Sequence, residues 1–195
     1  IVDLFVEVTD EQFAALGFER GTMRLVDHAE QQTVLAKFAA VDPRLVSGGS
    51  VANSVIGFAA LGGKAAFIGC VGDDRYGLHY QGELTELNVG LGNPVVVGQP
   101  TGTCCALITP DAERTMRTCL AVSSHLSAAH VQADRQLIEQ SEWLFIEGYL
   151  FSNGDVGQGA VREAIKIAKE NGTKVAITCS DAFIVHVFGT HLAAA

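Results

Sequence analysis

The sequence predicts an α/β protein: a mostly parallel sheet covered by helices on both faces, with a smaller β-rich appendage. Three observations predict it. Through the second half, short apolar runs of strand length alternate with longer stretches of helical spacing, the signature of a parallel sheet. Two β-branched runs, 104–109 and 114–120, flank Pro110-Asp111-Ala112-Glu113, a hairpin signal that breaks this alternation. The chain has 195 residues, enough for one domain with a real core and a small appendage.

The elements follow in order. Ile1, Leu4, Val6 and Val8 among Asp3, Glu7 and Thr9 make a first strand. Residues 10–18 have helical spacing, 22–26 form a short strand, and 29–39 form a helix ended near Asp42-Pro43. Next comes the most informative run, residues 47–77, SGGSVANSVIGFAALGGKAAFIGCVGDDRYG. Gly48 and Gly49 can adopt backbone conformations closed to other residues and let a ligand approach the main chain, and Ser50 reads as an N-cap. Val51, Val55, Phe58, Ala59 and Gly62 fall at helical spacing and should form the buried face. That leaves Asn53 in the first turn, beside the free N–H groups, as a hydrogen-bonding candidate. A Gly-Gly turn before a helix is more often a packing device than a site, and the segment alone does not decide.

A strand over 65–71 and an acidic loop precede a helix over 77–87, and Asn93-Pro94 marks a turn into 95–98. After the hairpin, Ser127 caps a helix to about Gln140, and 143–146 reads as a buried strand. Residues 161–170 form a helix closed by Asn171-Gly172, and 174–179 another strand.

With 48% hydrophobic residues, 18% charged and a net charge of −9, the chain reads as a soluble acidic globular protein. The lack of a basic stripe argues against nucleic-acid binding. The apolar runs are too short for a bilayer and no signal peptide opens the chain, so the cytosol is the expected location and no membrane partner is expected. Cys70, Cys104, Cys105, Cys119 and Cys179 show no CxxC spacing and read as reduced, buried thiols. The six histidines form no HExxH pair, so no metal site is assigned to them. The start without Met inside a strand and the Ala193-Ala194-Ala195 tail both read as cuts. Loss of later strands from a parallel sheet would leave an apolar edge prone to aggregation.

Two nucleotide signatures fail. Residues 57–65, GFAALGGKA, imitate a P-loop, but Ala65 stands where a Ser or Thr must reach the metal. Residues 154–159, GDVGQG, imitate a dinucleotide fingerprint, but Arg162 replaces its third glycine, and a flexible helix entry is the better reading.

The run 47–77, together with IVDLFVEV, TGTCCALITPDAERTMRTCL, EWLFIEGYLF and KVAITCSDAF in this order, resembles the PfkB family of carbohydrate kinases, the ribokinase and adenosine kinase group. The similarity covers nearly the whole chain. It implies a doubly wound, mostly parallel ribokinase-like α/β fold spanning residues 1–195, truncated at its C-terminal part, with a β-sheet lid from parts of about 5–46 and 93–120. It implies an ATP-dependent phosphotransferase that phosphorylates a hydroxyl of a sugar or nucleoside, with ATP and Mg2+ as cofactors and a homodimer through the lid.

By family position, Asp3 accepts hydrogen bonds from substrate hydroxyls, work that suits an ionised carboxylate. Gly48, Gly49 and Asn53 occupy sugar-contacting positions. Arg114 matches a basic residue placed near the transferred phosphate, where a bidentate, permanent cation is apt. Cys104, Tyr149 and Phe183 fall where the adenosine kinase branch builds an apolar wall, though each serves equally as core. The family's Gly-Ala-Gly-Asp run, which supplies the general base and an anion hole, does not occur in these 195 residues. The catalytic base is therefore assigned to no residue here, and the chain alone is expected to be inactive. The alternative reading is a non-catalytic sugar- or nucleoside-binding module.

Overall fold

The computed structural model describes residues 1–92 and 94–194. Asn93, expected to open a turn with Pro94, and Ala195, the last of the alanine tail, lie outside the described residues. The first half comprises β1 (Val2–Glu7), α1 (Asp10–Ala14), β2 (Met23–Leu25), α2 (His28–Ala36), β3 (Arg44–Ser47), α3 (Ser50–Ala60), β4 (Ala66–Ile68), β5 (Val71–Gly72), α4 (Arg75–Glu86), β6 (Gly90–Gly92) and β7 (Val95–Val96). The second comprises β8 (Thr103–Ile108), β9 (Arg114–Cys119), a 3-10 turn (Ala121–His125), α5 (Ala128–Ala133), α6 (Arg135–Glu139), β10 (Trp143–Glu147), a second 3-10 turn (Gly148–Asn153), α7 (Gly154–Asn171), β11 (Lys174–Thr178) and α8 (Ala182–Ala194).

Alternation along β1 organises the first half. Val2, Leu4 and Val6 are buried on one face, which leaves Asp3, Phe5 and Glu7 on the other. The buried face packs at one end on Ala52, Tyr80 and Leu84 of α3 and α4, and at the other on Phe13, Val34 and Phe38 near α1 and α2. β1 lies inside a five-stranded sheet of order β2-β9-β8-β1-β3. Gln31 fastens α2 to that sheet from a fully buried position, donating to the carbonyls of Thr103 and Arg117 and accepting from the Thr103 hydroxyl. A satisfied buried amide of this kind fixes the seating of a helix as well as stabilising it.

Five of the seven ladders among the described residues are parallel, including β10–β11, β4–β6 and β5–β7. The two antiparallel ones are β1–β3 and the β8–β9 hairpin. The fold is thus the expected doubly wound, mostly parallel α/β architecture. In the second half, α7 lays Ala160, Val161, Ala164, Ile165, Ile167 and Ala168 inward and ends on Gly172, whose φ of 76° forms the left-handed cap.

Several local expectations are corrected. Ser50 is the first residue of α3 and not its cap: Gly49 occupies that position with φ 110° and has no side chain with which to cap the helix. The buried side of α3 is Val51, Ala52, Val55, Ile56 and Ala59, while Phe58 is 56% exposed and Gly62 lies past the helix end. The strand over 65–71 breaks into β4 and β5, because the chain changes partner from β6 to β7. The helix after Ser127 is interrupted at Asp134. Only Ile146 of residues 143–146 is fully buried, with Trp143 57% exposed. Cys179 is exposed, whereas the other four thiols are buried, and all five are free. No helix among the described residues is long and apolar enough to cross a membrane.

The acidic loop after β5 has a structural role. Asp73 accepts from the Gly98 N–H at 2.9 Å. Asp74 caps α4 through the Gly77 N–H and also accepts from the Thr101 N–H and hydroxyl, at 2.9, 2.9 and 2.6 Å. Partial burial opposes ionisation of Asp74, but the hydrogen bonds from Thr101 and Gly77 outweigh it and hold its pKa below the usual value. Gly72 and Gly77 complete the junction, since a Cβ on either would run into backbone of residues 99–101 or 72.

Asp74→Ala should therefore cost about 1–3 kcal/mol in urea denaturation near neutral pH, a figure already reduced for partial exposure. Because the folded pKa is depressed, this contribution is present above the unfolded carboxylate value of about 4 and is lost as pH falls through the folded value. The gap between variant and parent should narrow on acidification; a gap that widens in acid would contradict the assigned role.

Candidate active site

The site begins where β1 and β3 end together. Asp3 lies opposite Val46 and Val2 opposite Ser47, and the chain leaves β3 through Gly48, whose N–H donates to the Ile1 carbonyl at 2.9 Å. That turn runs against the Asp3 carboxylate. A Cβ on Gly48 would lie 2.6 Å from Asp3 Cγ and 2.8 Å from Oδ1, so only glycine allows the contact. Gly49 is required for a different reason, its positive φ. The two glycines bring main chain and carboxylate together at the start of α3. Beside them, the Ser47 hydroxyl is buried without a partner among the described residues.

Burial raises the pKa of Asp3, and the positive charge of Arg114 offsets part of that rise. Arg114 is exposed, but strand alternation puts it on the Asp3 face. Asp3, Cys104 and Thr118 are register neighbours across β1, β8 and β9, and positions 118, 116 and 114 share that face. Cys104 is 3% exposed, and its thiol is pushed up to about 11, chiefly by burial.

The opposite wall comes from the carboxyl ends of the parallel pair β10–β11, the end of such strands where α/β folds place ligands. Glu147, the last residue of β10, accepts from the Ser50 hydroxyl, the Val51 N–H at 3.1 Å and the Ser180 hydroxyl. Ser180, just past β11 with φ 62°, in turn accepts from the Gly148 N–H at 3.0 Å. Glu147 thus ties the N-terminus of α3 to both strands, with its negative charge at the positive end of the helix. Tyr149 follows in the 3-10 turn. Burial first, then the negative field of Asp181 and Glu147 and a hydrogen bond to Asp181, hold its hydroxyl up to about 12. It also lies within electrostatic reach of Cys104.

Of the residues expected from sequence, Asp3, Gly48, Cys104, Arg114 and Tyr149 are thus coupled by contact, register or charge. Asn53 is exposed in the first turn of α3, and its amide has no partner among the described residues. Phe183 sits on α8 at 47% exposure, its ring edge-on to Phe188 at 6.2 Å. Sequence reading missed Glu147, Ser180 and Asp181. The available signal was their position, a carboxylate closing one predicted parallel strand and a polar pair just after the other. Among the described residues, no group of three or more His, Cys, Asp or Glu could hold a metal ion.

A family model described as pfkB family carbohydrate kinase matches residues 22–191. The 5-dehydro-2-deoxygluconokinase of Photobacterium profundum is 31% identical over 132 residues, 65% of this chain and 37% of the relative. The ribokinase of Haemophilus influenzae is 29% identical over 143 residues, 73% of this chain and 45% of the relative. The chain therefore spans less than half the length of these curated relatives. The crystal structure of adenosine kinase from Sinorhizobium meliloti superposes with a TM-score of 0.86 at 30% identity, covering 98% of this chain and 57% of that one.

The Asp3–Gly48 contact can be measured as a coupling. Gly48→Ala should destabilise the protein by about 1–3 kcal/mol through overpacking. Asp3→Ala in the same chain should recover at least about 1 kcal/mol of that loss. Additive effects in the double-mutant cycle would rule out the contact.

Proposed function

The chain belongs to the pfkB family of carbohydrate kinases, and from that membership and the acceptor-side geometry we propose that it supplies the acceptor half of an ATP-dependent phosphotransferase acting on a hydroxyl of a sugar or nucleoside. The observation that carries this reading is the Asp3 carboxylate, half-buried and pressed on Gly48 at the entrance to α3. A desolvated carboxylate beside bare main chain suits two neighbouring hydroxyls, each donating a charge-assisted hydrogen bond. Asn53 adds an amide from the first turn of α3, and Gly48 and Gly49 let the ligand approach the backbone. Glu147 holds that turn in place.

The remaining roles follow the same division. Cys104 and Tyr149 form an apolar side to the acceptor pocket, extended by Phe183 on α8. Arg114 faces the transferred phosphoryl group, where a fixed cation offsets the charge that develops during transfer. The sheet β2-β9-β8-β1-β3 is the lid over the acceptor, including the parts of about 5–46 and 93–120, and it is the surface through which a homodimer would form. The relatives' names span sugars and nucleosides, so the acceptor is kept at that class. The cytosol, where ATP is abundant, is the compartment that fits.

ATP supplies the phosphoryl group and Mg2+ neutralises its charge during transfer. Of the present residues Arg114 fits the phosphate, but no carboxylate cluster among the described residues fits Mg2+, so no step is assigned to the metal here. The proton of the attacking hydroxyl must go to a base, and neither Asp3 nor Glu147 is given that role. Asp3 is committed to orienting hydroxyls and Glu147 to the α3 terminus.

Two outcomes are expected in solution. With ribose, fructose or adenosine, the 195-residue chain should consume no ATP in a coupled assay. Calorimetric titration with a panel of sugars and nucleosides should nonetheless find a binder, and Asp3→Ala should weaken it at least about tenfold, the loss of one or two charge-assisted hydrogen bonds. Steady turnover abolished by Asp3→Ala would defeat the division of labour, and full affinity in Asp3→Ala would defeat the acceptor assignment.

A further inference from the structure

The other face of the same sheet carries a feature that acceptor binding does not use. Arg117 on β9 is 4% exposed, yet among the described residues it has no ion-pair partner. Its Nη1 donates to the carbonyls of Met116 at 2.8 Å and Thr22 at 3.4 Å, while Nε is buried with no acceptor. Phe18 covers the guanidinium face, with Cζ 4.0 Å from the ring centroid. With Nη1 engaged and the face covered, the edge left without a partner among the described residues is the one bearing Nε and Nη2, a fork suited to two oxygens of one anion.

The surroundings reinforce this. Arg24 on β2 is the register partner of Arg117, so two guanidinium groups stand side by side on neighbouring strands. Like charges so placed repel, and a buried cation without an anion is costly. Glu30 favours the Arg117 charge from a distance but forms no ion pair with it. Both arginines line a cavity of about 310 Å³ together with Gly17, Phe18, Glu19, Thr22 and Met23. That volume suits a small metabolite.

We propose that this cavity is a second ligand site, which takes the carboxylate or phosphoryl group of a small molecule on the unpartnered edge of Arg117, with Arg24 as the second cation. The site lies on the opposite sheet face from Asp3, because positions 114 and 117 of β9 point to opposite sides. It stands independently of the acceptor assignment. Glu19 at the rim disfavours highly charged anions and favours a single oxyanion head, and Phe18 supplies an apolar wall for whatever that head carries.

The test is a titration of the protein with sodium acetate and, separately, with sodium phosphate, at ionic strength held constant with chloride, read by thermal unfolding and by calorimetry. Preferential exclusion raises stability without saturation and regardless of sequence, so the signature of a site is a saturable shift that depends on the arginines. At least one of the two anions should give such a shift. Arg24→Gln, an exposed substitution expected to fold normally, should weaken its apparent affinity at least about tenfold, equivalent to about 1.4 kcal/mol. Arg117→Lys, which keeps the charge and removes the fork, should do the same. Saturation by acetate alone identifies a carboxylate site and by phosphate alone a phosphoryl site. A linear response to both anions, or a saturable one unchanged in Arg24→Gln and Arg117→Lys, overturns the proposal.

Discussion

The contact between the Asp3 carboxylate and Gly48 constrains the rest of the candidate site. Strand pairing has a period of two, so a slip of one residue in β1 would send Asp3 into the core and bring Val2 or Leu4 to the surface. Val2, Leu4 and Val6 are essentially unexposed, and that burial fixes which face Asp3 occupies. Antiparallel pairing with β3 then brings the chain back beside Asp3 at residue 48, where a side chain has no room. Gly49 turns the backbone through a positive φ, and α3 starts directly after it. The site is the consequence of a hydrophobic register closed by two glycines with different duties.

Carboxylates near that junction serve two ends, and their partners tell them apart. Asp73 and Asp74 are engaged by main-chain donors at Gly98, Thr101 and Gly77, which makes them part of the scaffold that holds β5, α4 and the loop before β8. Asp3 has no such donors, and burial raises its pKa against the opposing charge of Arg114. Glu147 stands between the two cases. Its acceptors are filled by Ser50, Val51 and Ser180, yet those donors belong to the elements that flank Asp3. A carboxylate left under-satisfied beside bare main chain is available to a ligand, and one filled by backbone N–H groups is not.

What the sequence made legible follows the same logic. Alternation revealed β1 because one face of that strand is buried, and the β8–β9 hairpin was readable from two apolar, β-branched runs around Pro110-Asp111-Ala112-Glu113. Gly172 was readable as a helix stop because only a left-handed cap needs glycine there. The Gly-Gly run, with Asp3 and Arg114, was readable through family resemblance; their coupling through register and charge required coordinates. Ser50 failed as a cap because Gly49 already takes the non-helical position, and its hydroxyl is drawn instead to Glu147, 97 residues away. Phe58 failed as core because helical spacing gives a stripe without saying which of its edges meets a neighbour. Glu147 and Asp181 were invisible for a related reason: their significance comes from the parallel pairing of β10 with β11, a contact between strands separated by the whole of α7.

β9 shows how far a single strand can carry this separation of roles. Its alternation sends Arg114 to the open face with Asp3 and Cys104, and Arg117 to the face packed beneath Phe18 and Gln31. The exposed arginine stands in solvent, whereas the buried one is held by carbonyls on one nitrogen and a ring on one face. A permanent cation in that setting gains most from an anion brought to its unpartnered edge, because the surroundings have already removed its water. An anion seated there would strengthen the pairing of β2 with β9, the two strands that carry the neighbouring guanidinium groups. Since β9 also presents Arg114 and Thr118 on the Asp3 face, any such stiffening acts on the strand that borders the proposed acceptor site, and linkage requires that each ligand then affect the other's binding equally. The sheet is therefore a physical connection between the two faces, with β9 as the element that both occupy.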